Sequence, residues 1–343
     1  MKEIYWIINQ LNNTDEVLSA IETANILVQY RSISLIVLGK KEENDINISS
    51  KISIIYLDID IENDELNSFF RANRKGLMTR INELTTKNDL IISTSYISSY
   101  IVPKGRRFLY YYLGNKESFL SFKEKMRRRK LRNPDNYIFS SLELKNKLEK
   151  SSKYRGSYQI YPTNNYYSVL SLNKKNVISC IINNNKDVII AIEFLNKLEI
   201  KKNKYQCNIY TNLDKSCFNN LDYSNNVKLF KDYDLVEILK ASDLLMYFDN
   251  YYSHSLLVTK SLSMSVPLIC YKNEAVDETY SIIIDKKNIE ESVKEANILL
   301  NKDKRLEKFK QESFNHFYRF AKNIVTAKWL DILEIEDNLI YKE

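Results

Sequence analysis

Two short stretches of this chain have the residue types and spacing to meet an anion. The first is "SHSLL", residues 253–257, where Ser253 or Ser255 can cap a helix whose first-turn amides belong to Leu256 and Leu257. A helix amino terminus presents unpaired N–H groups and the positive end of the helix dipole, so it holds negative charge without a charged side chain. The second is Lys186, placed after an apolar run and at the start of a helical pattern. It offers a cation to the same kind of ligand, or else it is a surface lysine at its helix start. Glu278 can accept two hydroxyl hydrogen bonds, although Glu274 and Asp277 beside it also read as a solvated acidic loop. Asp58 and Asp60, in "YLDID", have the spacing that holds Mg²⁺ or Mn²⁺ against a diphosphate, but the motif is short and common. His254 reads as a packed or solvent-edge residue and His316 as a structural one.

The elements that must position these residues follow from the wider pattern. With 343 residues the chain exceeds a comfortable single domain, so two domains are expected. "EIYWIIN", "SISLIVLG", "KISIIYLDI", "DLIISTSYISSYIV" and "RFLYYYLG" are apolar runs suited to buried parallel strands. Between them, "TDEVLSAIETANILVQY" repeats Val17, Ile21 and Ala24 at helical spacing behind a Thr14/Asp15 cap. The pattern loosens near "YQIYPTNNYYSVLSLNKKN" and then restarts with "VISCIIN", "YQCNIYT", "NVKLF" and "PLICY" as strands among helices. A helical tail follows from "NIEESVKEANILL" onward. Two successive β/α sets predict two doubly wound parallel-sheet, Rossmann-like domains. Their boundaries are set at 1–165 and 166–320, with 321–343 a helix crossing back to the first domain. Ligands of such sheets lie at the carboxyl ends of the strands, which puts a site in the cleft the two domains face.

Charge and cysteine usage narrow the function classes. The formal charge is +7, and the stretch 123–132 holds seven Lys and Arg against Glu124, so the rest is nearly neutral. A nucleic-acid footprint is therefore not expected. The run reads as a solvated helix face or as a contact with anionic lipid or a phosphorylated substrate. Cys180, Cys207, Cys217 and Cys270 are scattered, which predicts no metal site and a reduced, cytoplasmic location, peripheral at the inner membrane face if the basic run touches lipid. No run approaches the length of a membrane span, and the first residues read as a strand and not a signal peptide. None of the five glycines lies beyond Gly156, so the second half cannot contain a glycine-cradled phosphate loop of the usual kind.

The order of elements resembles the family-4 retaining glycosyltransferases, which have the GT-B architecture. In "VISCIINNNKDVIIAIEFL" the strand, Lys186 and the following helix match the family's pattern, with Cys180 and Ile181 in place of its Gly-Arg. "ILKASDLLMYF" carries the family's helix ending, through Ala241, Ser242 and Asp243. "YYSHSLLVTKSLSMSVPLICY" is similar to the Glu-x7-Glu segment: Pro267 and the strand fit, whereas Tyr252 and Lys260 take the glutamate positions and Ser265 the glycine's. Glu278 matches a further Glu of the pattern. In the first half, Asn12 and Asn13 stand where the family has a Gly-Gly loop.

This resemblance implies a glycosyltransferase moving a sugar from a nucleotide-sugar donor, UDP-linked, to a surface polysaccharide, lipid-linked or protein acceptor. It implies retention of configuration, no metal and no further cofactor. The donor side would be Lys186, Ser255, Leu256, Leu257, Lys260 and Glu278, and the first-domain loop Asn12 and Asn13. The departures at Tyr252, Lys260 and Ser265 support a second reading, a non-catalytic GT-B subunit that accompanies an active partner glycosyltransferase. A third is another two-domain α/β enzyme, such as an epimerase-like relative.

Overall fold

The computed structural model describes residues 3–12, 14–41, 46–59, 66–113, 134–150, 157–161, 175–182, 184–198, 205–220, 227–231, 233–248, 256–272, 276–285 and 288–340. Two compact units divide it. One comprises residues 1–165 with 320–343, and the other residues 166–319.

The first unit is built on a seven-stranded sheet. Its strands are β1 (Ile4–Ile8), β2 (Ile33–Gly39), β3 (Ser53–Ile59), β4 (Leu90–Ser93), β5 (Arg107–Tyr112), β6 (Asn136–Phe139) and β7 (Tyr158–Gln159). They run in the order β3-β2-β1-β4-β5-β6-β7, every neighbouring pair parallel. Burial on both faces is why these strands read as continuous apolar runs and not alternating ones: all five residues of β1 and all seven of β2 are buried. Helices α1 (Asp15–Leu27), α2 (Leu66–Leu84), α3 (Tyr96–Tyr100) and α4 (Leu142–Leu148) connect the strands. Val17, Ile21, Ala24 and Leu27 of α1 pack on one face, and Leu77 and Ile81 of α2 on the other.

Three sequence expectations change here. The strand expected over "DLIISTSYISSYIV" stops at Ser93, and Ser95 begins α3 instead. The Ser95 hydroxyl accepts from the Ser98 amide at 3.0 Å and the Ser98 hydroxyl accepts from the Ser95 amide at 3.2 Å, a reciprocal cap that outweighs the β-branched and aromatic composition. Thr14 holds the cap position of α1 but makes no capping bond; its hydroxyl donates to Asn12 Oδ1 at 2.7 Å. Asp58 is the extra residue of a bulge where β3 slips against β2, with φ of 53°, and Asp60 lies outside the described residues.

The second unit carries β8 (Val177–Ile181), β9 (Gln206–Tyr210), β10 (Val227–Phe230), β11 (Leu244–Tyr247), β12 (Leu268–Tyr271) and β13 (Ser281–Ile284). Their order is β10-β9-β8-β11-β12-β13, all parallel, which is the 3-2-1-4-5-6 order of a Rossmann sheet. Helices α5 (Asn185–Lys197), α6 (Leu235–Ala241), α7 (Leu256–Ser263), α8 (Ile289–Asn301) and α9 (Asp303–Phe317) complete it. Sequence reading missed β13, whose four residues sit directly behind a turn closed by the Tyr280 and Ser281 amides on Asp277 O.

The last helix, α10 (Lys322–Ile340), belongs to the first unit. Its Trp329 is fully buried against Trp6, with ring centroids 5.6 Å apart, and against Tyr111 at 5.3 Å. Among the described residues no helix is long and apolar enough to cross a membrane.

Candidate functional site

In a parallel sheet of this order the loops after the first and fourth strands leave in opposite directions, and the crevice opens at their carboxyl ends. In the second unit those strands are β8 and β11. The helices that follow, α5 and α7, therefore begin at the same edge of the sheet, which brings Lys186 and Leu256–Leu257 to it.

The two helix starts differ in charge. Asp187 lies in the first turn of α5 and is buried, so that helix holds a carboxylate of its own where its dipole is positive. The same carboxylate adds to burial in pushing the Tyr271 phenol, at the carboxyl end of β12, up to about 12. The first turn of α7 has no acidic residue, so an anion at that end meets no carboxylate of the helix's own first turn. Leu257 and Val258 turn inward and anchor the helix, and Lys260 is half-buried one turn on. Ser255 and His254 lie outside the described residues, as do the side chains of Lys186 and Leu256.

The far end of α7 explains the family's glycine. Ser265 adopts φ of 59°, a left-handed conformation. The Val266 amide donates to Ser261 O at 3.0 Å and the Ser265 amide to Leu262 O at 3.1 Å, the two bonds of a Schellman stop. Pro267 then leads directly into β12. The turn is thus preserved with serine in it.

Two sequence signals fall at the opposite edge of this sheet. Asp243 precedes β11 and is fully buried. Its carboxylate accepts from the Lys175 amide at 2.9 Å, the Asn176 amide at 2.5 Å and Lys310 Nζ, itself buried, at 2.6 Å. The Ala-Ser-Asp signal is therefore a clamp that fixes the entry to β8, the start of β11 and α9 together. Glu278 stands three residues before β13 and is exposed, so the parallel topology sets it apart from Lys186 and Leu257. It lines a separate groove of about 480 Å³ with Ser281, Asp285, Glu291 and Glu295. His316 packs against Tyr280, with ring centroids 4.6 Å apart and the planes tilted by 31°.

In the first unit the corresponding strands are β1 and β4. Asn12 is exposed and folds back on itself, its Oδ1 accepting from the Thr14 amide and hydroxyl; Asn13 lies outside the described residues. The sequence did not single out the groups beside them. Asn9, just past β1, accepts from the Ser95 hydroxyl at 2.9 Å, and Glu16 in the first turn of α1 meets Thr94, just past β4. Burial pushes the Glu16 carboxyl up to about 7 despite the helix dipole, with the Thr94 hydrogen bond opposing the shift. No charged group contributes to that shift. A helix-start Glu two places behind a supposed cap was the only sequence signal, and helix starts commonly hold Glu.

Cys180, Cys207 and Cys270 are buried free thiols, the last two held up at about 12, and inert for that reason. Residues 123–132 lie outside the described residues. Among the described residues no group of His, Cys, Asp or Glu is placed to hold a metal ion.

No protein-family model and no curated protein sequence matches this chain. Solved structures do. A mutant of S. aureus TarM crystallised with fondaparinux, alpha-GlcNAc-glycerol and UDP superposes with a TM-score of 0.76 over 96% of this chain and 99% of its own, at 10% identity. The pneumococcal O-GlcNAc transferase GtfA, in complex with UDP and GlcNAc, gives 0.71 over 97% and 98%, at 11% identity. Anabaena HepE with UDP and glucose gives 0.69 over 97% and 100%, at 12% identity.

Proposed function

We propose that this chain, which has the GT-B fold of those structures, is a glycosyltransferase using a UDP-linked sugar. The acceptor class is a surface polysaccharide, a lipid-linked glycan or a protein, with retention of configuration and without a metal. The observation that carries the reading is the amino end of α7, at the switch point of the second sheet, with no carboxylate of its own. The UDP bound in the three structures likened to it supports the same ligand class.

On this reading the diphosphate lies against the Leu256 and Leu257 amides with Lys186 as a cation. As the bond from the anomeric carbon to the diphosphate oxygen breaks, charge builds on the leaving group, and preorganised amides stabilise it there. Asp187 repels the diphosphate from the start of α5, which favours α7 as its seat. Lys260 meets the donor with an ammonium where the family pattern has a carboxylate. The acceptor is read by the carboxyl edge of the first sheet, at Asn9, Asn12, Glu16 and Ser95. Peripheral contact of residues 123–132 with anionic membrane, and assembly with a partner glycosyltransferase, belong to the same proposal.

Calorimetric titration with UDP, UDP-glucose and UDP-GlcNAc tests it. Binding is expected, weakened several-fold by Lys186→Ala. No heat with any of the three at millimolar concentration, from folded protein, overturns the reading.

A further inference from the structure

A groove of about 610 Å³ in the first unit, outside the site above, is lined by Arg74, Lys75, Met78 and Thr79 of α2, by Tyr100 at the end of α3 and by Lys104 beyond it. No described carboxylate lines it. Arg74 is fixed in place: its Nε donates to Tyr100 O at 3.0 Å and its guanidinium lies 4.3 Å over the Tyr100 ring, leaving the terminal nitrogens for a ligand. Lys75 and Lys104 are exposed, and among the described residues neither ammonium is paired with a carboxylate. Lys104 is presented by a tight turn that Gly105, with φ of 79°, makes possible.

A fourth charge lies beneath. Arg106 is 9% exposed and donates only to neutral groups, Thr85 Oγ1 and Thr85 O and, at 3.0 Å, the carbonyl of the groove residue Asn82. Its charge is uncompensated by any described acid, and in a low-dielectric setting it adds to the field at the groove.

From this geometry we infer that the groove binds an anionic chain, a polymer bearing phosphodiester or comparable groups, through Arg74, Lys75 and Lys104. A planar lipid surface fits it less well. None of the exposed large apolar residues (Tyr30, Ile54, Leu142, Ile189, Phe230, Tyr318, Ile324) lines it, whereas a peripheral membrane site inserts such side chains. Its volume is in the range of ligand clefts, enough for a short segment of chain.

Short linear inorganic polyphosphate serves as the probe, in protein whose other basic run is neutralised by Arg127→Gln, Arg128→Gln and Arg129→Gln. That protein should still bind the probe. Adding Lys75→Gln and Lys104→Gln should weaken binding about tenfold at low salt and flatten the slope of log affinity against log salt by about 1 to 2, since two phosphate contacts are lost. Lys75→Arg with Lys104→Arg should retain it. Both lysines are exposed, so thermal melting should be unchanged. Failure of the run-neutralised protein to bind, or equal binding by the glutamine variant, overturns the inference. So does binding to phosphatidylglycerol vesicles that depends on Lys75 and Lys104 and that polyphosphate does not compete away.

Discussion

Removing either partner of the Asp243–Lys310 pair should selectively unfold the second unit. Both side chains are buried, at 0% and 2% exposure, so neither charge has water to fall back on. Breaking a buried pair from one side costs about 3–5 kcal/mol, because the remaining charge is left uncompensated. Lys310→Met leaves the carboxylate with the Lys175 and Asn176 amides, so the cost should lie near the lower end, about 3 kcal/mol. Asp243→Asn leaves a buried ammonium and turns an amide donor toward backbone donors, so about 4–5 kcal/mol is expected. The double variant should recover about 1.5 kcal/mol or more of the summed loss. The chain's two tryptophans, Trp6 and Trp329, both lie in the first unit, so their fluorescence in urea reports that unit and far-UV circular dichroism reports both. The circular-dichroism transition should split or shift to lower urea while the fluorescence transition stays. A shift worth under about 1 kcal/mol, strict additivity in the cycle, or an equal loss in the fluorescence transition would refute the clamp.

Two further predictions concern single residues. A non-glycine residue in the left-handed region costs about 1–2 kcal/mol and glycine gives back part of that in chain entropy, so Ser265→Gly should raise stability by about 0.5–1 kcal/mol; destabilisation in urea melts would contradict the strain assigned to φ of 59°. Glu16 binds its proton more tightly folded than unfolded, with a pKa raised from 4.5 to about 7, so stability should fall as pH rises between those values. The fall amounts to about 3 kcal/mol by linkage, and Glu16→Gln should abolish it; superimposable stability profiles of wild type and variant from pH 4 to 8 would dismiss the shift.

Parallel strands buried on both faces are the most legible feature of this chain, because their apolar runs need no partner to be recognised. Where the sequence misled, a local interaction competed with composition. "YISSYIV" is rich in β formers, yet the Ser95–Ser98 exchange starts a helix there. "SIII" is too short to stand out beside an acidic turn, and its strand character comes from pairing with β12. At the site, positions fixed by order along the chain were readable, such as Lys186 and Leu256 at helix starts. Positions fixed by contacts between distant segments were not. Glu16 acquires its raised pKa from burial, and the hydrogen bond that opposes the shift comes from Thr94, 78 residues away. Asp243 reads as a motif residue but finds its partner 67 residues on, in α9.

In the stretch from Tyr252 to Pro267, what agrees with the pattern it resembles is main chain, and what departs from it is side chain. The α7 amino end, the Schellman stop at Ser265, Pro267 and the strand order are backbone features, and each stands without the glycine or glutamates of the pattern. An anion cradle of amides depends on helix geometry alone. Selection among sugar hydroxyls depends instead on hydrogen-bonding side chains, because a site built to pair a hydroxyl rejects the analogue that lacks it. On the proposed reading, with Lys260 in place of a carboxylate, that selection differs in kind: an ammonium donates where a carboxylate accepts. The phosphate end of the donor is then held by the backbone geometry of the fold, and the departures from the pattern in "YYSHSLLVTK" fall on the sugar end.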